Sequence, residues 1–152
     1  RETAQMCLLN GRKYTVALMQ EGERHFRISS NIGENAPIPW TASGRLLLTH
    51  LSDQAIADLI DADDFILPGG ERLPMATFLG EIRRAGEEGF FSFDSVADTF
   101  THCFAAPVND ENGVCIATLC IVAPRNDAKT HYDAYRKVLI ESANGLARRI
   151  SE

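Results

Sequence analysis

The chain has 152 residues, a length typical of a single domain that buries about 70% of the surface exposed by the unfolded chain. Hydrophobic residues make up 45% and charged residues 24%, as in ordinary globular proteins, and no apolar run reaches the ~20 residues that a membrane span needs. The net charge of −6 argues against direct nucleic-acid binding by this segment, because such surfaces are basic. No export signal is visible at the start of the sequence, so the expected location is cytoplasmic.

The cysteines and histidines do not follow a metal-binding pattern. There is no Cys-x-x-Cys pair and no His-x-x-x-His spacing among the four residues of each type. We therefore expect no metal site and no cofactor, and reduced thiols in a protein without an export signal.

The first part of the chain predicts an antiparallel meander of three strands. Ala4–Asn10 and Lys13–Gln20 are joined by Asn10-Gly11, a strong hairpin signal. Arg24–Ser30 alternates between apolar and polar residues and forms the third predicted strand.

Three helices are predicted next. The first, Trp40–His50, has small residues in its first turn, with Thr41 or a neighbour as its cap. Small residues at that position indicate either an anion site at free backbone N–H groups or close packing of the helix on a sheet, and the two are compatible. The second helix is Leu51–Asp61 with Ser52 as its cap. The third starts at Pro74 and stops at Gly89.

A central hairpin dominates the rest of the sequence. Thr99–Val108 and Val114–Val122 are apolar on both faces and are joined by the turn Asn109–Gly113, which predicts strands covered on both sides. A short strand, Phe90–Phe93, precedes this hairpin, and an amphipathic helix of about five turns, ending near Ile150, follows it. Strands in runs with segregated helices predict an α+β fold with one antiparallel sheet flanked by helices.

Side-chain alternation gives the central hairpin a face of small residues. The first strand contributes Thr101, Cys103 and Ala105 to one face, and the second contributes Thr118, Cys120 and Val122 to one face. Such small side chains leave either a cavity under the sheet or room for a closely packed helix.

Two classes of function other than ligand binding in such a cavity remain as alternatives. His102 and Cys103 are neighbours in a strand and point to opposite faces, so they cannot form a nucleophile–base dyad. Cys103 and Cys120 are better placed for a GAF-like thiol redox enzyme, which needs an accessible thiol of low pKa. A module that serves only for dimerisation predicts a collapsed cavity.

Several local strings resemble the effector-binding domain of IclR-type transcription regulators. These are Pro37–Leu48 (PIPWTASGRLLL), Ile82–Phe90 (IRRAGEEGF) and, most specifically, Cys103–Gly113 (CFAAPVNDENG). The resemblance covers about Thr3 to Arg149 and implies a GAF-like or profilin-like sheet with a ligand cavity on one face. It also implies that the protein is not an enzyme. In that family a winged helix-turn-helix that contacts DNA precedes this domain, and we expect it to be absent from this chain.

The resemblance also implies the site residues. Ala42 and Ser43 match residues whose backbone meets a ligand carboxylate, and Cys103 matches a pocket cysteine. The other expected ligand-binding residues are Trp40, Thr41, Phe93, Asp94, Thr101, Cys120 and Val122. Phe93 stands where relatives often have Asp, and Cys120 and Val122 stand where they often have Ser.

These departures make the expected pocket less polar than in relatives. We therefore predict a small carboxylic acid with an apolar or aromatic body as effector, and not a very small polar oxo-acid. The resemblance further implies a homodimer or homotetramer and contact with DNA only through the N-terminal domain.

Overall fold

The structure is a computed structural model that describes residues 2–20, 22, 32–33 and 35–151. In this part of the chain, six strands form one antiparallel sheet in the order β3-β2-β1-β6-β5-β4. The strands are β1 (Thr3–Asn10), β2 (Lys13–Gln20), β3 (Asn35–Ala36), β4 (Phe91–Asp94), β5 (Thr101–Asn109) and β6 (Cys115–Pro124).

Five α-helices and two single turns of 3₁₀-helix complete the described residues. The helices are α1 (Ser43–Leu47), α2 (Asp53–Leu59), α3 (Met75–Glu88), α4 (Arg125–Thr130) and α5 (Tyr132–Ile150). The 3₁₀ turns are Ile38–Trp40 and Ala62–Phe65. None of these helices is long and apolar enough to cross a membrane.

The predicted α+β class, with an antiparallel sheet flanked by helices, is confirmed. The central hairpin forms β5 and β6, and both strands lie inside the sheet. The caps also agree, because Ser52 accepts a hydrogen bond from Ala55 N and α3 ends at Gly89 with φ +63°. The predicted strand Arg24–Ser30 lies outside the described residues.

The first predicted helix, Trp40–His50, is much shorter in the structure. Prolines at 37 and 39 favour the separate 3₁₀ turn Ile38–Trp40, and Thr41 then adopts extended backbone (φ −121°, ψ 146°), which breaks the helical path. The helix α1 begins only at Ser43 and ends at Leu47. The helix α4 and the two-residue strand β3 were not predicted from the sequence.

The two faces of the sheet pack against different helices. One face, covered by α1 and α3, contains the larger core, with fully buried residues such as Leu46 and Phe78. The other face is covered by α5, where Phe104 and Leu139 are buried. Because β5 and β6 are covered on both sides, their apolar character on both faces is explained.

Candidate functional site

A cavity of about 140 Å³ lies on the sheet face that α1 covers. The strands β5 and β6 and the segment from the 3₁₀ turn to α1 contribute to its wall, together with the loop between β4 and β5. A closed apolar cavity of about 150 Å³ accommodates benzene. The space therefore fits one molecule of about the size of a single ring.

Most of the predicted site residues meet at this cavity. Pairing in the sheet sets Cys103 opposite Val122 and Ala105 opposite Cys120, so the small-residue face predicted from alternation is formed as expected. Eight of the ten predicted residues line the cavity: Trp40, Thr41, Ala42, Ser43, Thr101, Cys103, Cys120 and Val122.

The other two predicted residues, Phe93 and Asp94, do not line it. The Phe93 ring packs beside the buried guanidinium of Arg45, whose carbon Cζ lies 5.0 Å from the ring centre. Asp94 Oδ1 lies 2.8 Å from His102 Nδ1, and this hydrogen bond holds the pKa of the Asp94 carboxyl below its usual value. His102 itself contacts the Phe104 ring on the face covered by α5, which confirms that it points away from Cys103.

Six further residues line the cavity and were not predicted from the sequence, namely Gln5, Tyr14, Ala36, Ser95, Ala97 and Asp98. Two of them carry a recognisable signal. Gln5 shares strand parity with the buried Cys7, which places a polar side chain on an inward face. Asp98 stands three residues before Thr101, a spacing at which an aspartate caps the turn that follows it.

A chain of buried polar groups lies beneath the cavity. Thr118 Oγ1 donates to Ser43 Oγ (2.7 Å), and Ser43 Oγ lies 2.8 Å from Cys120 Sγ. Cys120 Sγ lies 3.9 Å from Cys7 Sγ, which is 3.0 Å from the hydroxyl oxygen of Tyr14. These contacts connect α1 to three adjacent strands and leave the hydroxyls of Ser43 and Thr118 with partners.

The chemistry of the thiols does not favour a redox enzyme. Burial raises the pKa of Cys103 to about 12, and the charges of Cys120 and Asp98 add to the shift. The pKa of Cys7 is raised by its hydrogen bond to Cys120 and by burial, whereas the same bond lowers the pKa of Cys120 against the opposing effect of burial. Because Cys120 is only 5% exposed, the thiol with the lowered pKa is hidden from solvent and substrates.

The loop between β4 and β5 forms a wall that carries negative charge. The Asp98 carboxylate accepts hydrogen bonds from the backbone N–H of Thr101 (2.8 Å) and from Thr101 Oγ1 (2.7 Å to Oδ2). Arg125 Nη2 donates to the carbonyl oxygens of Ser95 and Asp98, at 3.2 Å each. The loop is thus held to α4, and the Asp98 carboxylate is fixed at the β5 side of the cavity.

The start of α1 is a weaker anion site than the sequence suggests. The helix has only five residues, and the backbone N–H of Gly44 donates to Thr41 Oγ1 (2.9 Å). The N–H of Arg45 donates to Ala42 O (3.1 Å). Two of the N–H groups in this first turn therefore already have partners, and other polar groups are needed to hold an anion here.

Several larger depressions lie elsewhere on the described surface. An apolar groove of about 580 Å³ beside α5 includes the exposed side chains of Leu18 and Val138. A cleft of about 400 Å³ between α3 and the turn of the central hairpin includes charged residues such as Arg83. The small cavity is the better candidate because ligand sites combine apolar walls with a few converging, buried polar groups.

Comparison with known proteins agrees with this fold. The sequence matches the family described as "Bacterial transcriptional regulator IclR C-terminal" over residues 1–152. The HTH-type transcriptional regulator TtgV of Pseudomonas putida is 26% identical, over 98% of this chain and 56% of its own length. The chain therefore spans little more than half of this curated relative.

Solved structures with the same fold include repressors and isolated effector domains. The Agobacterium tumefaciens repressor BlcR superposes with a TM-score of 0.85 at 21% identity, over 98% of this chain and 60% of that chain. The Thermotoga maritima IclR gives 0.82 at 21% identity, over 99% and 62%. The effector domain of a transcriptional regulator IclR from Acinetobacter sp. ADP1 gives 0.82 at 17%, over 95% and 85%. At these identities the likeness establishes the fold alone.

Proposed function

Because this chain belongs to the IclR family of bacterial transcriptional regulators, as the C-terminal effector-binding domain, we propose that it binds a small carboxylic acid with an apolar or aromatic body. The observation that carries this proposal is the cavity of about 140 Å³. Its size suits one ring. Its walls include the largely apolar residues Trp40, Cys103 and Val122 and the polar residue Ser43.

Binding of this acid regulates how a second, N-terminal domain of the whole regulator binds DNA. We expect the whole regulator to be a homodimer or homotetramer in the cytoplasm. The ligand rests between the sheet, the segment near Thr41 and the loop that contains Asp98, so it favours the arrangement in which these parts close on each other. A ligand shifts such an equilibrium only when it binds the two arrangements with different affinity. The closed arrangement then alters subunit packing and the spacing of the DNA-binding domains.

The alternatives have less support. A redox enzyme needs an accessible thiol of low pKa, whereas burial raises the pKa of Cys103 to about 12. A module that serves only for dimerisation predicts a collapsed cavity, and this one retains about 140 Å³.

Thermal unfolding in the presence of small acids tests the proposal. We expect benzoate, phenylacetate or hexanoate to stabilise the domain, by about 2.7 kcal/mol at a free concentration of 100 times the dissociation constant. Glyoxylate should stabilise it far less, because it leaves most of the cavity unfilled. Stabilisation by glyoxylate alone, or by none of these acids, would contradict the proposed ligand class.

A further inference from the structure

A buried amide in the wall of the cavity has a free hydrogen-bond donor. Gln5 lies on β1, is 6% exposed and lines the cavity. Its Nε2 is buried and has no hydrogen-bond partner in the part of the chain that the structure describes. Buried polar groups in native proteins are nearly always paired, so an unpaired donor on a residue of the cavity wall indicates a partner supplied by the ligand.

The position of Gln5 in the sheet places this donor at the polar end of the cavity. Gln5 pairs with Cys120 across β1 and β6, and Cys120 Sγ lies 2.8 Å from Ser43 Oγ. Gln5 and the start of α1 therefore both adjoin Cys120. Ser43 already has Thr118 and Cys120 as partners, whereas Nε2 of Gln5 still has its hydrogens to donate.

The opposite side of the cavity has a carboxylate in its wall, which disfavours a second carboxylate beside it, while the Arg125 guanidinium contacts the backbone of the same loop. Asp98 lies at the β5 side, where Thr101 accompanies it. The strands β1 and β5 flank β6, and neighbouring strands are about 4.8 Å apart, so the two sides of the cavity are about 10 Å apart. The free energy of a bound acid is therefore lowest when its carboxylate lies near Gln5 and its apolar body lies near Cys103 and Val122.

We propose that Gln5 is the residue that binds and orients the ligand's carboxylate, with Nε2–H donating to one carboxylate oxygen. The second oxygen faces Ala42 and Ser43. This inference deepens the proposed function and rests on it, because it assigns a donor to an acid held in the same cavity. It also implies selectivity, since a ligand of the same shape without an oxygen leaves the amide unpaired.

Calorimetric titration of two matched probes into two proteins tests this role. The probes are benzoate and toluene, which share a ring and differ in the carboxylate, and the proteins are wild type and Gln5→Met, which keeps the length of the side chain but removes the amide. We expect Gln5→Met to weaken benzoate binding by about 10- to 100-fold, the effect of losing a hydrogen bond to a charged group. Toluene affinity should change by less than about 3-fold, because no hydrogen bond is lost.

Urea unfolding without ligand separates binding from folding. Removing an unpaired buried donor relieves a desolvation cost, so Gln5→Met should be as stable as wild type or more stable. Gln54→Met, at an exposed position on α2, is the matched control and should bind both probes as wild type does.

Four outcomes would overturn the assignment. Equal weakening of both probes would show that the methionine blocks or deforms the cavity, and a clear loss of stability would show that the amide supports the fold. Unchanged benzoate binding would show that the carboxylate lies elsewhere, while the proposed function stands. If wild type binds none of the acids, the proposed function itself fails, and this inference fails with it.

Discussion

Cys103 shows how its surroundings set the chemistry of a single side chain at this site. Its thiol lies on the cavity face of β5, opposite Val122, and burial raises its pKa to about 12. The Asp98 charge contributes in the same direction, because a second negative charge nearby disfavours the thiolate. The residue therefore forms a small wall of the cavity in surroundings that disfavour its thiolate.

This shift predicts a loss of stability at alkaline pH. An unfolded cysteine ionises near pH ~8.5, whereas the folded thiol keeps its proton to about 12, so the unfolded state binds fewer protons above ~8.5 and stability falls as pH rises. Urea unfolding between about pH 8 and pH 10 should show this decline, and Cys103→Ala should make it less steep. The pKa values of Cys7 and Cys115 are raised as well, so part of the decline should remain in the variant.

Val122→Ala is the control for this measurement. It enlarges the same cavity without removing a titratable group, so its decline with pH should match that of wild type. A Cys103→Ala variant with the same pH dependence as wild type would show that the thiol is not protonated more strongly in the folded state.

At the scale of the element, the 3₁₀ turn Ile38–Trp40 and α1 form one tightly packed unit that carries the polar end of the cavity. Arg45 fixes this unit, since its Nη1 donates to the carbonyl oxygens of Pro39 (2.6 Å) and Thr41 (2.7 Å). The Arg45 side chain is buried and also pairs with Glu81 on α3. The backbone between Thr41 and Ser43 is thereby held against β6.

Gly44 is the position at which this unit tolerates no side chain. A Cβ atom there would lie 2.3 Å from the carbonyl oxygen of Ile38 and 2.9 Å from Thr41 Oγ1. The carbonyl belongs to the backbone of the 3₁₀ turn and cannot move aside cheaply. We expect Gly44→Ala to destabilise the domain by about 1–3 kcal/mol, as overpacking does, and to weaken ligand binding.

Gly80→Ala provides the matched control in a helix. A Cβ at Gly80, inside α3, meets nothing within 4 Å, so alanine should stabilise by about 0.5–1 kcal/mol through its helix propensity. Chemical denaturation of both variants checks the pair. If Gly44→Ala were as stable as Gly80→Ala, the result would contradict the close contact between α1 and the 3₁₀ turn at position 44.

At the scale of the whole molecule, the two faces of one sheet are filled differently. The face under α5 contains large buried side chains, such as Phe90, Phe104 and Leu139, which pack between the sheet and the helix. The opposite face contains Cys103, Ala105 and other small residues where α1 is short, and a cavity remains there. The cavity proposed as the ligand site and the large aromatic side chains thus lie on opposite sides of β5 and β6.

The charge of the whole chain predicts weak contact with DNA. The net charge is −6, and a domain that neutralises few phosphates gains little from counterion release. Fluorescence anisotropy with a labelled duplex should detect little binding by residues 1–152 near 150 mM salt, about the physiological level, with or without benzoate. Tight binding with a steep dependence on salt would contradict this prediction and point to a basic surface not visible in the charge balance.

The sequence by itself determined the class of fold, the central hairpin and the face on which the cavity lies. Alternation along a strand is a local property with a period of two, so Thr101, Cys103, Cys120 and Val122 could be grouped before their partners were known. The family resemblance added the segment from Trp40 to Ser43 to the predicted site, and all four residues of this segment line the cavity.

Only the tertiary structure decided which residues of the cavity wall have an unpaired polar group. Phe93 had been expected there but packs on Arg45, which no local pattern connects to it. Gln5 had not been expected, because its pairing with Cys120 joins residues more than a hundred positions apart. Whether a buried amide has a partner depends on every element packed around it, and that is a property of the assembled fold and not of any one segment.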